Sequence, residues 1–292
     1  RVEGELNASK QRVVVSLTTT PHRIAKLRTT LDSISQQSIK PDQIYLNIPY
    51  QYNRDNLQYV IPEWLASYPN VTINRSIDFG PITKLAPTLE PEVEPSTLII
   101  TIDDDVKYPK HVIRDLARYA LSHPNVVVTP MNLQFSLDNN YKVEKVTRIF
   151  KHEAKVPLVI GAAGVAYRRG FFADNFKRYI TSLPDPCYLA DDLVISMYLA
   201  RHKIPIEQSI AASFNPVIVQ YTYKQLEHSF TTDALSYSPD GNRGNHHSYS
   251  ACLSQLRGHE YEEYQRDFVA KNTDVSLQEH GSNFWQVIWE HL

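Results

Sequence analysis

Three adjacent carboxylates, Asp103-Asp104-Asp105, directly follow the most apolar short run of the chain, Thr97-Leu98-Ile99-Ile100-Thr101-Ile102. Carboxylates so close repel one another, which costs stability unless a cation or hydrogen-bond donors compensate. Hard oxygen ligands of this kind suit Mg²⁺ or Mn²⁺, ions that also hold phosphate oxygens. For an isolated triplet a solvated acidic turn is the bland alternative. Position favours the metal: a run apolar on both faces reads as a central parallel strand, and open α/β sheets bind ligands at the carboxyl ends of such strands.

Three more clusters can carry chemistry, each with a plain structural alternative. Asp191-Asp192 opens a predicted helix, where acidic residues also simply complement the dipole. Gly161-Ala162-Ala163-Gly164-Val165 lets backbone approach a ligand closely, or makes a tight turn. Asp78-Phe79-Gly80-Pro81-Ile82-Thr83-Lys84 offers a carboxylate to a base or ribose and an ammonium to a phosphate; as structure alone it is a turn with a helix cap.

The elements that must position these groups alternate in type. Val13 to Leu17 reads as a short buried strand ending in the polar breaker Thr18-Thr19-Thr20-Pro21. Ile24, Leu27, Leu31 and Ile34 recur at helical spacing and predict a helix that stops near Pro41. Further strands are predicted at Ile44–Ile48, Val71–Ile73, Thr97–Ile102 and Val126–Val128, with helices over Lys110–Leu121 and Asp191–Arg201. Residues 131–156 read as an excursion of strands or loops. Strand–helix alternation of this kind predicts an α/β, doubly wound, mostly parallel sheet with helices on both faces. Right-handed crossovers then gather the strand ends, and any ligand, on one edge.

The order of these pieces resembles the GT-A fold glycosyltransferases, over roughly residues 12–205. The resemblance implies a Rossmann-like GT-A domain over residues 1–230 and a C-terminal helical extension over 231–292 that packs on it. It implies that a D-x-D motif, Asp103 and Asp105, holds Mn²⁺ or Mg²⁺, with Asp105 the direct ligand. A late histidine, His246 or His247, would complete the metal site. The nucleotide-sugar donor, with a UDP-sugar expected, would be held by Thr18, Thr20 and Arg23 after the first strand. Asp78, Lys84, Asp103, Asp104, Gly161 and Gly164 would hold it too. Ala190-Asp191-Asp192 corresponds to the family's x-E-D element with Asp for Glu, a side chain one methylene shorter. The stretch at 78–84 is similar to a subgroup of bacterial, viral and algal sugar transferases.

The implied mechanism is a transfer of charge. Departure of a nucleoside diphosphate builds negative charge on the leaving phosphates, where a divalent ion acts as Lewis acid and Lys84 or Arg23 adds positive charge. The acceptor, a hydroxyl on a glycan or lipid-linked molecule, is a poor nucleophile, so a carboxylate must take its proton. Asp191 or Asp192 is the candidate base, giving single displacement with inversion. A haloacid-dehalogenase-type phosphatase fits worse, because Lys107 stands where its motif wants Thr or Val and the chain has no Gly-Asp pair. A sugar nucleotidyltransferase would show a glycine-rich loop after the first strand, which is absent. A transferase-like domain kept only to bind glycans stays open as a non-enzymatic alternative.

The whole-chain numbers narrow the classes. Of 292 residues, 42% are hydrophobic, enough for a core, and Lys+Arg 30 against Asp+Glu 32 gives a net charge of -2. That balance argues against nucleic acid as a partner. Cys187 and Cys252 make at most one bridge. No apolar run approaches the ~20 residues a membrane span needs. The stripe Phe284, Trp285, Ile288, Trp289 and Leu292 is expected either to pack on the domain or to make peripheral membrane contact. The chain opens on Arg1 rather than Met, so a removed leader or anchor is expected. Sequons at Asn7, Asn70 and Asn74 point weakly to a secretory history and leave the compartment open. Tyrosine, at 18 residues, is in surplus over Phe at 10, which suits polar-edged concave surfaces or hydroxyls satisfied in a core.

Overall fold

Residues 11–137, 143–149, 154–156, 158–209, 224–225 and 245–256 are described by a computed structural model. Its elements run β1 (Val13–Thr18), α1 (Arg28–Ser35), β2 (Gln43–Pro49), α2 (Glu63–Ala66), β3 (Val71–Ser76), β4 (Leu98–Thr101), β5 (Val106–Lys107) and α3 (Val112–Ser122). There follow β6 (Val127–Thr129), β7 (Asn132–Leu137), β8 (Val143–Ile149), β9 (Ala154–Val156), β10 (Val165–Arg168), α4 (Phe176–Ser182), α5 (Asp191–Arg201), β11 (Ile206–Gln208), β12 (Lys224–Gln225) and α6 (Asn245–Gln255).

Two apolar faces on one strand require cover on both sides, and the sheet receives it. Val13, Val15 and Leu17 of β1 join Leu98 and Ile100 of β4 in one cluster, covered by Leu31 and Ile34 of α1 and by Ile113 and Leu116 of α3. Val14 and Ile99 face the other way, toward Phe176 of α4, Leu193 and Tyr198 of α5, and Tyr249 and Leu253 of α6. α5 is buried on nearly every side as far as Leu199, as expected of a helix without a polar face.

The main sheet has eight strands in the order β3-β2-β1-β4-β10-β6-β11-β9. β3, β2, β1 and β4 are parallel, as are β6 and β11. The predicted α/β class with a mostly parallel sheet and helices on both faces is therefore present. The departure is β10, antiparallel to both β4 and β6, with β9 antiparallel at the edge. Its cause is local: the turn Gly161–Ala163 and Gly164, at φ +87°, deliver Val165 opposite Thr101. The glycine segment thereby lies beside the acidic triplet that follows β4. The excursion over 131–156 resolves into the antiparallel β7–β8 pair and β9.

Cys187 and Cys252 are bonded, with Cα atoms 4.4 Å apart. The apolar stripe Phe284–Leu292 and the Asn7 sequon lie outside the described residues. Among the described residues no helix is long and apolar enough to cross a membrane.

Candidate active site

A cleft opens where the parallel strands β1 and β4 end, the edge at which loops can converge on a ligand. Of the residues singled out from sequence, Thr18, Thr20, Arg23, Asp78, Lys84, Asp103, Asp104, Asp105, Gly161, Asp191 and Asp192 line it. Gly164 does not. Its backbone turns the chain into β10, and a Cβ there would meet Leu116 Cδ1 at 3.3 Å, so its work is packing and direction. His247 is exposed and is not among the lining residues; the side chain of His246 lies outside the described part of the structure.

The acidic triplet is divided between two cations. Arg23 Nη1 donates to Asp104 Oδ1 at 2.9 Å and to Asp105 Oδ2 at 3.2 Å. Thr19 Oγ1 donates to the second oxygen of Asp104 at 2.6 Å, and Thr30 Oγ1 to its carbonyl at 2.8 Å. Buried and fully engaged, Asp104 ties the loops after β1 and β4 together. Asp103 turns the other way, toward Lys84, whose Nζ donates to Oδ1 at 2.6 Å. The Asp103 amide donates to Tyr108 Oη at 2.9 Å, and that hydroxyl donates to Ala162 O at 3.0 Å. Tyr108 thus joins the triplet to the glycine segment.

Lys84 is the centre of the charge arrangement. It ends the short 3-10 helix Gly80–Lys84, and its carbonyl accepts from Ser16 Oγ of β1. Ser16 sits in a buried network with Thr88 and Asn47, so the lysine backbone is fixed to the sheet. Its ammonium bridges Asp103 and, at 3.1 Å, Asp191 Oδ2. Burial alone would lower its pKa, but Asp103, Asp191 and Asp192 outweigh that and hold it well above the usual lysine range. The lysine expected to meet a phosphate lines the cleft and is paired there with two carboxylates.

Asp191 and Asp192 form the first turn of α5, directed at the cleft. Asp192 Oδ1 accepts from the Gly161 amide at 3.1 Å and Oδ2 from Tyr249 Oη at 3.4 Å. Ser196 Oγ donates to the Asp192 carbonyl at 2.6 Å and accepts from the Val159 amide, which pins this turn to the strand-end segment. Burial, with Asp191 alongside, pushes the Asp192 carboxyl well above the usual range, against the pull of Lys84. Gly161 is needed here for space: a Cβ would lie 2.9 Å from Lys84 Nζ and 3.3 Å from Asp192 Oδ1.

The opposite end of the cleft is aromatic, lined by Tyr52, Tyr59 and Tyr188 with Arg54 and Asp78. The Asp78 carboxylate accepts from the amides of Gly80 and Asn53, each at 2.8 Å, closing a local turn and holding the loop after β2. Gly80, at φ +66°, lets the Tyr188 carbonyl pass where a Cβ would lie 2.5 Å from it. Other tyrosines satisfy their hydroxyls at a distance from the cleft, Tyr45 on Glu92 and Tyr68 on Asp32. Among the described residues, three tyrosine rings, Tyr52, Tyr59 and Tyr188, line the cleft.

Sequence reasoning missed Thr19, Tyr108 and Tyr249. Thr19 lies inside the polar breaker already singled out, and Tyr108 stands three residues beyond Asp105. Tyr249 has no local signal, since only the fold brings it to Asp192.

The donor set can be tested against a divalent cation. The cleft-lining residues include six Asp against Arg23, Arg54 and Lys84, an acidic excess among the side chains that face the cleft. Asp103 and Asp105 keep side-chain exposures of 27% and 15%, accessible enough to bind from the cleft. Among the described residues no three His, Cys, Asp or Glu side chains are grouped to hold a metal. Asp103 and Asp105 are the carboxylates that could hold an ion of the Mg²⁺ kind, which takes one or two carboxylates and completes its shell with phosphate and water. They do not form a closed protein cage. No protein-family model matches the chain, and no curated protein matches it.

Proposed function

We propose that the chain is a GT-A-type, metal-dependent glycosyltransferase that moves a sugar from a nucleoside-diphosphate sugar, a UDP-sugar, to a hydroxyl of a glycan or lipid-linked acceptor. One observation carries the reading. Five separate segments, 18–23, 78–84, 103–105, 161–162 and 191–192, meet in a single cleft at the ends of β1 and β4. The strand order 3-2-1-4 on that side of the sheet is the order in which such folds place a nucleotide.

In this reading the aromatic end, Tyr52, Tyr59 and Tyr188, receives the base by stacking. Asp78, which accepts from the amides of Asn53 and Gly80, is placed to accept from a base or ribose as well, since an ionised carboxylate accepts about four hydrogen bonds. A divalent ion held by Asp103 and Asp105 would supply Lewis-acid stabilisation to the leaving diphosphate. Arg23 fixes Asp105, and Lys84 fixes Asp103 relative to the Asp191–Asp192 pair, so the donor and acceptor halves of the site keep one spacing. Asp191 is tied to Lys84. Asp192, with its raised proton affinity and two donors orienting it, is the better base toward an acceptor hydroxyl. A base of this kind supports single displacement with inversion.

A thermal-shift screen of UDP-, GDP-, CMP- and dTDP-sugars with Mn²⁺ tests the reading, because a ligand of the native state raises its melting temperature. One nucleotide class should stabilise the chain, and only when Mn²⁺ is present. No shift with any donor would remove the proposal.

A further inference from the structure

Asp192 is approached from outside the sheet by one helix. Tyr249 of α6 is 2% exposed, and its hydroxyl lies 3.4 Å from Asp192 Oδ2 while the Gly161 amide holds Oδ1. Two donors on different oxygens set the plane of a carboxylate and leave acceptor positions free on it. The distance to Tyr249 is long for a hydroxyl–carboxylate bond, as such bonds commonly are before substrate tightens the site.

What holds α6 there is covalent. An isolated helix of its 11 residues is marginal in water, where about 12–15 are needed. Cys252 is three positions beyond Tyr249, on the same helix face, and is bonded to Cys187 across 65 residues of chain. Cys187 belongs to the turn Asp185–Leu189, which leads directly into Asp191 and carries the cleft-lining Tyr188 and Leu189. Tyr249, Cys252 and Leu253 share a buried cluster with Cys187, Ala190 and Leu193. The bond therefore fastens the helix that bears Tyr249 to the segment that bears Asp192.

We propose that Tyr249 is a positioning residue for Asp192 and that the Cys187–Cys252 bond is the anchor that keeps it in place. The inference rests on Asp192 being the base, as proposed above. It makes α6 part of the reacting site rather than a cover over it.

The test uses the full chain with Tyr249→Phe, with Cys187→Ala/Cys252→Ala, and with all three changes, measuring kcat and the donor KM. Tyr249→Phe should lower kcat about 10- to 100-fold, the cost of a misplaced reacting group, with the donor KM within about twofold because donor contacts are untouched. The cysteine pair should lower kcat comparably, and Tyr249→Phe should add little on that background, because residues acting as one device are non-additive. Wild-type kcat in Tyr249→Phe, or independent multiplicative losses, would overturn the inference alone. A wild-type chain that turns over no nucleotide-sugar would overturn it together with the transferase reading. If the cysteine variant does not fold, Tyr249→Phe decides by itself, since it keeps the ring in its buried slot.

Discussion

The ammonium of Lys84 lies 2.6 Å from the carboxylate of Asp103, joining the loop after β3 to the acidic triplet after β4. The same nitrogen reaches Asp191 at 3.1 Å, so one buried cation holds two carboxylate sites that are 88 residues apart in the chain. In the proposed function these sites serve the donor and the acceptor, and Lys84 sets the spacing between them.

Removing that cation leaves Asp103 and Asp191 facing each other without compensation. Lys84→Met is expected to cost about 3–5 kcal/mol, the usual penalty for breaking a buried ion pair from one side. Urea denaturation measures it. Mn²⁺ should raise the denaturation midpoint of the variant more than that of the wild type, because the freed carboxylates then have a replacement cation.

Asp192 makes stability depend on pH in a stated direction. Its carboxyl is held above the usual range by burial and by Asp191, so the folded chain binds this proton more tightly than the unfolded chain. The contribution is then fully present below the unfolded pKa, near ~4, and is lost as pH rises through the higher folded value. Asp192→Asn removes this dependence. Melting temperatures from pH 4 to pH 8 should move progressively in favour of the variant, and parallel curves for the two proteins would contradict the assignment.

The two glycines at the bend before β10 should respond differently. Gly161→Ala puts a methyl 2.9 Å from Lys84 Nζ, crowding the charged cluster, and should cut turnover at least about tenfold, as misplacing reacting groups does. Gly164→Ala forces a side chain onto φ +87° away from the cleft. It should cost roughly 1–3 kcal/mol of stability and leave donor affinity unchanged. Calorimetric melts and donor titration on both variants separate the effects.

Tyr108→Phe strips a hydroxyl that accepts from the Asp103 amide and donates to the Ala162 carbonyl. Both backbone groups lose their partner, a penalty of about 1–3 kcal/mol where they are buried. The metal dependence of donor binding should weaken as well, since Asp103 is no longer held to the glycine segment.

Much of this was legible in the residue pattern, and the rest failed for identifiable reasons. The runs at 13–17, 44–48 and 97–102 are strands within a residue or two, because a strand buried on both faces is predominantly apolar. The placement of Asp103–Asp105 at a strand end followed from the same rule. β10 has four residues and β11 three, too few for any periodicity. The loop of Lys84 announces a cation but not its partners Asp103 and Asp191, which lie on other segments. The Cys187–Cys252 bond and the Tyr249–Asp192 contact span 65 and 57 positions, and local pattern carries no information about pairing over such separations.

The proposed function rests most directly on metal-dependent turnover of a nucleotide-sugar through Asp105. The decisive measurement is transfer or hydrolysis of the donor found by thermal shift, followed as Mn²⁺ is titrated from a chelated baseline, in wild type and in Asp105→Ala. Wild-type activity should rise from background with Mn²⁺ and be abolished by chelator, and the variant should show none at any Mn²⁺ concentration. Chelator-insensitive turnover, or an Asp105→Ala variant with wild-type response to Mn²⁺, would contradict it.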